Sequence, residues 1–449
     1  MNQNLNPEII REYYANGKLD KNSAFKLLIS IIEKSNDDTN RIKAIELMGE
    51  IEFSNSKEYE ILEELMVSDS NKYVRGTAGK IIIHNFIEKG IKPIKWAIRN
   101  DPSLDFLFII MEDLKVIDEN VLHLILINKF KEIISNKINN ANNRFIKYYI
   151  EEFKRLFKKK SISKFTCQKL CDMFLNFKVI SQLIQKYAIS DTHFKYYLKD
   201  GLVVRLMING QNIRRIKEIN GLEKLINLEI LDISMNQIIE INGIESLINL
   251  KTLLLGNFTH NDGNEITEIK GLESLTHLEY LDLSFNRITK IKNLDNLTSL
   301  KFLSLRKNNI IEITGLKKLR NLERLNLGGN QIKEIKGLER LTNLKQLYLE
   351  GNQITEIKGL ETLTNLEWLD LSFNRIKEIE GLENLLKLSV LNLNHNQITE
   401  VNKLENLINL RLLHLDKNRI VKIYNLENLK KLDHLSLAFN PITEIRDLN

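Results

Sequence analysis

The sequence predicts a chain of two differently built halves, an all-α first half followed by an α/β solenoid with a parallel sheet. The second half repeats one unit of 22 residues, whereas residues 1–198 lack that unit and show helical spacing of apolar residues. A fixed period in this range is typical of a solenoid, because each repeat can bury its apolar face only against its neighbours. We therefore expect a helical domain over residues 1–198 and a repeat domain of about ten to eleven repeats over 199–449.

The repeated unit reads Leu-x-x-Leu-x-Leu-x-x-Asn-x-Ile. Its second and third leucines alternate with other residues, which predicts a short strand with one buried face. A later Ile-x-x-Leu-x-x-Leu stretch predicts a short 3₁₀ or irregular helical return on the convex side. Successive units are 22 residues apart, except for one interval of 28, and begin at Leu228, Leu250, Leu278, Leu300, Leu322, Leu344, Leu366, Leu388, Leu410 and Leu432.

One asparagine recurs in every unit between the predicted strand and the return. An amide both donates and accepts hydrogen bonds, so it can satisfy turn backbone groups that water cannot reach. The sequence therefore predicts a structural, non-catalytic ladder made of Asn236, Asn264, Asn286, Asn308, Asn330, Asn352, Asn374, Asn396, Asn418 and Asn440.

Runs such as NQITEIKGLETLTNLEWLDLSFNRI resemble the leucine-rich repeats, in particular the SDS22-like subclass, whose 22-residue units also occur in bacterial internalins. The resemblance covers roughly residues 200–449. It implies a horseshoe with a parallel sheet on its concave side and a role in binding proteins. SDS22-like proteins include regulators of protein phosphatases, so the resemblance also implies a phosphatase as one kind of partner.

Two segments of the first half are related to each other. DDTNRIKAIELMGEI and DSNKYVRGTAGKIII place Arg41 and Arg75 at equivalent points, 34 residues apart. Asp69, Val74, Arg75 and Ala78 resemble the inner-helix pattern of HEAT repeats, which implies a short HEAT-like stack of helix pairs. Candidate caps predict helices that begin after Ser23, Thr39, Ser56, Asp69 and Asp118.

The segment from 129 to 200 is basic, with sixteen Lys/Arg against six Asp/Glu, a net charge of +10 in a chain of +6. Within it, Phe145, Tyr149, Phe153 and Leu156 share one face of a predicted helix that ends in several lysines. Such a helix, in the region 129–160, can bind nucleic acid or an anionic membrane surface. The favoured interpretation is a packed core helix, whose C-terminal lysines suit the helix dipole.

Several classes of function lack support in the sequence. The apolar run from 106 to 111 is too short for a membrane span, and no secretory signal precedes residue 20. Cys167 and Cys171 cannot form a disulfide framework, and no zinc, phosphate-loop or nucleophile motif is present. We therefore expect a cytoplasmic, non-catalytic protein with no cofactor and no metal.

The candidate binding surface is the set of side chains that point away from the core on the concave sheet. Exposed aromatic residues there are not needed for folding, and such residues dominate binding energy at interfaces. Asp282, Glu350 and Asp370 should attract Arg or Lys of the partner, while Gly328 and Gly329 should leave room for a protruding side chain. The predicted partner-binding residues are Tyr280, Asp282, Phe302, Arg324, Tyr348, Glu350, Trp368, Asp370 and His414.

Two peripheral features complete the expectations. The longer second interval predicts a polar loop at 256–263, with His260 and Asp262 at its tip. The chain ends at Asn449 inside a repeat, so the last strands should leave an exposed edge. Such an edge can pair with another chain, which makes self-association a further expectation.

Overall fold

The first half of the chain is built from helices, as the sequence predicts. A computed structural model describes residues 6–51, 56–115, 117, 120–138, 144–159, 161–188, 193–256, 263–424 and 426–445. The chain divides into two units, residues 1–181 with 200–202 and residues 182–199 with 203–449. Among the described residues, no helix is both long and apolar enough to cross a membrane. The helices are α1 (Pro7–Ala15), α2 (Lys21–Lys34), α3 (Asp38–Glu50), α4 (Ser56–Ser68), α5 (Lys72–Asn100), α6 (Leu104–Leu114), α7 (Asn120–Ile138), α8 (Arg144–Lys158) and α9 (Cys167–Tyr187).

The helix starts differ from the predicted ones by a few residues. Asp20 caps α2 and accepts the Ser23 amide, so Ser23 lies in the first turn rather than at the cap. Asn71, not Asp69, caps α5, because the Asp69 carboxylate already accepts the Asn71 amide and pairs with Arg41. Ser56 is the first residue of α4, Asp37 caps α3 through the Thr39 amide, and Asp118 lies outside the described residues.

The two related helical segments carry equivalent ion pairs. Arg41 of α3 pairs with Asp69, and Arg75 of α5 pairs with Asp101 at 2.7 Å. Arg75 and Asp101 are both buried, and two further guanidinium bonds reach the carbonyls of Asp69 and Ser70. A buried ion pair requires such additional hydrogen bonds to offset desolvation. The equivalence of Arg41 and Arg75 is therefore confirmed.

The basic helix α8 is a core helix. Its apolar face is buried, and the Phe153 ring lies 4.5 Å from that of Phe130 on α7. The Tyr149 ring lies 5.3 Å from Phe177 on α9. Since this face already packs inside the helical unit, its amphipathic pattern is explained without a membrane surface.

The second unit is dominated by a twelve-stranded sheet in the order β1-β2-β3-β4-β5-β6-β7-β8-β9-β10-β12-β14, and a short sheet joins β11, β13 and β15. The strands are β1 (Phe194–Lys199), β2 (Leu202–Ile208), β3 (Ile230–Asp232), β4 (Thr252–Leu254), β5 (Tyr280–Asp282), β6 (Phe302–Ser304), β7 (Arg324–Asn326), β8 (Gln346–Tyr348), β9 (Trp368–Asp370), β10 (Val390–Asn392), β11 (Glu400–Val401), β12 (Leu412–His414), β13 (Lys422–Ile423), β14 (His434–Ser436) and β15 (Glu444–Ile445). The predicted parallel-sheet solenoid is confirmed.

The solenoid begins with a turn that departs from the repeated unit. Its first parallel pair joins β2 to β3 and aligns Leu206 with Leu231. Strand β2 follows β1 after two residues with positive φ, Asp200 and Gly201, the conformations of a tight hairpin turn. The boundary predicted between residues 198 and 199 falls inside β1, since Phe194 and Tyr196 already alternate as buried residues of the sheet.

The core of the solenoid is a stack of leucine and isoleucine side chains. The repeated leucines, such as Leu322, Leu325 and Leu327, are completely buried, and each such side chain contributes about 1.5–3 kcal/mol. The predicted 3₁₀ returns occur at Ile216–Glu218 and Leu222–Lys224. Later returns are successive i to i+3 turns, as in the 2.9 Å bond from the Leu344 amide to the Leu341 carbonyl.

The asparagine ladder connects consecutive turns, as predicted. The Asn330 side-chain nitrogen donates to the carbonyl of Leu305 in the preceding repeat at 3.0 Å and to that of Leu327 in its own at 2.9 Å. Its side-chain oxygen accepts the Ile310 amide at 3.0 Å. One buried side chain thus satisfies backbone groups of two turns.

Replacing Asn330 by Leu, which has a similar shape, should lower the free energy of unfolding by roughly 1–3 kcal/mol, since buried backbone groups lose their partners. Chemical denaturation measures the loss. Asn343→Leu is the control, because the Asn343 side chain bonds one carbonyl at the exposed surface. Equal effects of the two substitutions would contradict a special role for the ladder.

Reversing the charges of Lys158 and Lys159, both exposed, should change the free energy of unfolding by less than about 1 kcal/mol. Phe153→Ala on the same helix should cost about 3–5 kcal/mol, because that ring is fully buried. Denaturation of the isolated variants tests both values. A large loss from the charge reversal alone would show that α8 depends on its lysines. Lys160, which follows these two lysines in the sequence, lies outside the described residues and is left unchanged in this variant.

Candidate functional site

The register of the sheet brings the predicted binding residues into neighbouring columns. Strands β5 to β9 align Tyr280 with Phe302, Arg324, Gln346 and Trp368, one residue from each strand. The next column, two residues on, aligns Asp282 with Ser304, Asn326, Tyr348 and Asp370. Adjacent strands are about 4.8 Å apart, so the first column spans roughly 20 Å from Tyr280 to Trp368.

The aromatic residues form two groups on this face. Tyr280 and Phe302 stack with their ring centroids 4.0 Å apart and their planes 7° from parallel, and the Arg324 guanidinium lies 5.7 Å from the Phe302 centroid. Tyr348 and Trp368 form the second group at 6.1 Å. Rings held by neighbouring rings lose little further freedom when a partner covers them.

The aromatic side chains are half-buried, and their burial affects the polar groups that they carry. Burial raises the pKa of the Tyr280 hydroxyl, with a smaller contribution from Asp282, and burial is also the main cause of the raised pKa of Tyr348. The Trp368 indole nitrogen is buried and has no hydrogen-bond partner within the described ranges.

The expectation that Asp282 faces a partner is wrong in this structure. Its side chain is fully buried, and its Oδ1 accepts the Ser284 amide at 2.9 Å. Burial raises the pKa of the Asp282 carboxyl, although the hydrogen bonds from Ser284 oppose this shift. Asp282 therefore belongs to the buried part of the sheet, where alternation along a strand alone suggested an exposed position.

The space expected over Gly328 and Gly329 is filled. A Cβ atom on Gly328 would lie 2.2 Å from the Glu350 carboxyl carbon, and one on Gly329 would lie 2.7 Å from the Lys307 side chain. The Glu350 carboxylate reaches over Gly328 to within 3.5 Å of Arg306. Burial raises the pKa of Glu350, and Arg306 partly offsets this shift. The two glycines thus admit neighbouring side chains of the same sheet.

The acidic residues at the border of the aromatic groups already have partners within the chain. Asp370 accepts the Ser372 amide at 2.9 Å and hydroxyl at 2.7 Å, and the Asn392 side chain donates to its other oxygen at 3.1 Å. Asp282 is buried and Glu350 lies beside Arg306, whereas Asp370 is bound only by neutral groups and keeps its negative charge. The expectation that these carboxylates attract Arg or Lys of a partner is therefore corrected for Asp282 and stays a prediction for Glu350 and Asp370.

His414 lies apart from the aromatic groups. It is on β12, two strands beyond Trp368 in the sheet order, and its ring centroid is 5.3 Å from that of His434. The structure brings Tyr280, Phe302 and Arg324 together, and Tyr348 and Trp368 together. His260 and Asp262 of the predicted loop lie outside the described residues.

The residues at the eighth position of the unit form one rim of the concave face. They are not among the binding residues predicted from the sequence. We call them the rim column: Met235, Phe285, Lys307, Gly329, Gly351, Phe373, His395, Lys417 and Phe439. All have positive φ, between 53° and 67°. Such values are unusual for bulky side chains. The signal for this column in the sequence is that its members share the eighth position of the unit. That position alone does not reveal that their φ angles are positive.

A family profile and several solved structures are similar to parts of the chain. The sequence profile described as Leucine Rich repeats (2 copies) matches residues 276–318, 298–340, 320–362 and 364–406. No curated protein sequence matches the chain.

Among solved structures, an internalin from Listeria monocytogenes is 27% identical with a TM-score of 0.40, and the match covers 60% of this chain and 90% of that one. Internalin C2 from Listeria monocytogenes is 33% identical with a TM-score of 0.39, over 44% of this chain and 83% of that one. A leucine-rich repeat protein from Leptospira interrogans is 25% identical with a TM-score of 0.39, over 53% and 73% of the two chains.

The buried Asp282 carboxyl should make stability depend on pH. Its pKa is raised on folding, so its contribution is present below the unfolded pKa of about 4 and is lost as pH rises through the folded pKa. Asp282→Asn keeps a neutral side chain, so the stability of this variant relative to the parent should increase as pH rises from 4 to 7. Urea denaturation across this range measures the difference. A difference that stays constant or decreases would contradict burial of an ionisable carboxyl at this position.

Proposed function

Because the chain belongs to the leucine-rich repeat family, generally a protein-binding fold without catalysis, we propose that it is a non-catalytic scaffold or regulator that binds a protein partner. The proposed contact surface is the concave face of the solenoid. It consists of Tyr280, Phe302, Arg324, Tyr348 and Trp368, with Asp370 at its border and His414 at its far end.

The observation that carries this proposal is that five consecutive strands place aromatic residues and one arginine on the concave face, with Tyr280, Phe302, Arg324 and Trp368 in one column and Tyr348 in the next. Interfaces are enriched in tyrosine, tryptophan and arginine at the points that contribute most binding energy. A length of roughly 20 Å across five strands suits the centre of a protein interface. The stacked rings of Tyr280 and Phe302 reduce the entropy that binding must remove.

The absence of catalysis is part of the proposal and rests on the residues of this face. Within the described residues no three His, Cys, Asp or Glu side chains form a group that could hold a metal ion. The carboxylates nearest the aromatic groups are engaged by serine, asparagine or arginine of the chain itself. The arrangement supports contact with a partner rather than proton transfer.

The identity of the partner is a separate proposal. A protein phosphatase is the version that resemblance to SDS22-like proteins suggests. Nucleic acid or a membrane surface as a ligand of the basic segment 129–160 is less well supported, because the apolar face of α8 is buried. The cytoplasm is the proposed location, because Cys167 and Cys171 are buried and are not joined in a disulfide, which suits a reducing compartment.

Tyr280→Ala and Trp368→Ala should each weaken partner binding by about 2 kcal/mol or more. The stability cost should be near 1 kcal/mol, because both rings are half-buried and mainly contact one neighbouring ring. The full chain serves first as bait to isolate a partner, and calorimetric titration of that purified partner then measures both variants.

The matched control is Trp96→Ala, because Trp96 is exposed on α5 in the helical unit. If Trp96→Ala abolishes binding while Tyr280→Ala and Trp368→Ala bind like the parent, the concave assignment is wrong. If all three variants bind normally and remain folded, the concave assignment is also wrong, and the contact lies elsewhere on the chain.

A further inference from the structure

The two edges of the concave sheet differ in how their charges are used. Along one edge, the residue after the first leucine of the unit alternates in charge from Glu229 to Glu367, and after the uncharged Ser389 it alternates again between Arg411 and Asp433. These residues pair with each other across neighbouring strands, as in Glu279 with Lys301 and Glu323 with Lys345, both at 2.8 Å. Most charges of this edge are therefore neutralised within the chain. The opposite edge, where the rim column lies, is built differently.

The side chains of the rim column are not required by the turn that holds them. Gly329 and Gly351 adopt the same left-handed conformation without a side chain, each with φ of 67°. Phe373 and Phe439 adopt it at 54° and 60° although they are 56% and 80% exposed. These exposed aromatic side chains do not stabilise a buried core. The backbone strain at their positions therefore favours a role in binding.

The rim also carries cations that lack an acidic partner. Arg375 and Arg419 lie two residues after Phe373 and Lys417, and all three cations are exposed. None of them forms an ion pair with a described residue. The Lys417 ammonium lies 5.4 Å from the Phe439 ring, and the Phe373 and His395 rings stack at 3.9 Å.

Among the described residues, the nearby carboxylates form no ion pair with these three cations. Asp416 accepts the Ser436 hydroxyl and the Ala438 amide through one oxygen. Asp370 is held by Ser372 and Asn392, and Asp433 pairs with Arg411 on the neutralised edge. These carboxylates have other hydrogen-bond partners, so the exposed groups of Arg375, Lys417 and Arg419 remain accessible to an external anion.

We propose that this part of the rim binds an acidic, extended segment of the protein partner, an inference that rests on the proposed function. We call it the acidic-segment rim, and it consists of Phe373, Arg375, His395, Lys417, Arg419 and Phe439. Carboxylates of the segment would lie against the three cations, and its apolar side chains against the exposed rings. Three repeat intervals of about 4.8 Å match four to five residues of extended chain.

An acidic polypeptide suits these residues better than a nucleic acid. Single-stranded nucleic acids bind through separated rings whose open faces accept stacked bases. Here Phe373 and His395 stack on each other, and Lys417 lies over the Phe439 ring. What remains exposed is ring area together with isolated cations, a combination that complements aromatic and carboxylate side chains.

The test uses the full chain and a fluorescein-labelled peptide of Glu-Glu-Phe repeated four times, with binding read by anisotropy at low salt. We expect saturable binding, which Arg375→Glu, Lys417→Glu and Arg419→Glu in combination should weaken about tenfold or more. Phe439→Ala, at a highly exposed position, should weaken it without affecting folding. The charge-matched control combines Lys317→Glu, Lys318→Glu and Arg320→Glu, three exposed cations of a convex return, and should bind like the parent.

Three outcomes would overturn the inference. They are absence of binding, equal loss in the charge-matched control, and equal binding of a Gln-Gln-Phe peptide that lacks the charge. Tighter binding of oligothymidylate of similar length would replace the acidic peptide by nucleic acid. Tyr280→Ala with Trp368→Ala distinguishes the two proposals, because it should leave peptide binding intact while it weakens binding of the isolated partner. If the peptide does not bind but Tyr280→Ala with Trp368→Ala still weakens binding of the partner, only the acidic-segment rim is overturned and the concave proposal stands.

Discussion

The hydrogen bonds of the ladder asparagines hold one turn of the solenoid to the next. Asn352 bonds the Leu327 and Leu349 carbonyls at 3.0 Å and accepts the Ile332 amide at 3.0 Å, a pattern that recurs from repeat to repeat. A turn that slipped would leave these buried groups unpaired, which costs more than a well-made bond contributes. The ladder therefore favours a single alignment of neighbouring turns. The columns of side chains on the concave face follow from that alignment.

Because neighbouring turns are aligned, the repeat pattern of the sequence becomes a set of columns of side chains on the protein surface. Residues 22 apart along the chain become neighbours about 4.8 Å apart, so each variable position of the unit forms its own column. The third position carries three of the four concave aromatic residues, and the fifth carries Tyr348. The residue after the first leucine carries charges that mostly compensate each other, and the eighth position carries the strained rim. Each column can vary independently because none belongs to the leucine core. A repeat protein can in this way combine a uniform core with differentiated surfaces.

The sequence was sufficient to predict features that depend on period. The strand positions, the buried leucines, the asparagine ladder and the membership of each concave column all follow from where a residue stands in the unit. It was insufficient where the outcome depends on neighbours in space. Asp282 is buried although its position alternates outward, and Gly328 is covered by Glu350 from the next repeat. The caps Asn71 and Asp20 were missed because several polar residues near each helix start compete for the same role.

The central claim is that a partner covers the concave face at Trp368. The chain has two tryptophans, so Trp96→Phe leaves Trp368 as the single reporter. The most direct measurement is acrylamide quenching of Trp368 fluorescence in this variant, with and without saturating partner. The account predicts that the partner markedly lowers the quenching constant. An unchanged quenching constant at saturation would contradict it, because the half-buried indole would then remain as open to solvent as in the free protein.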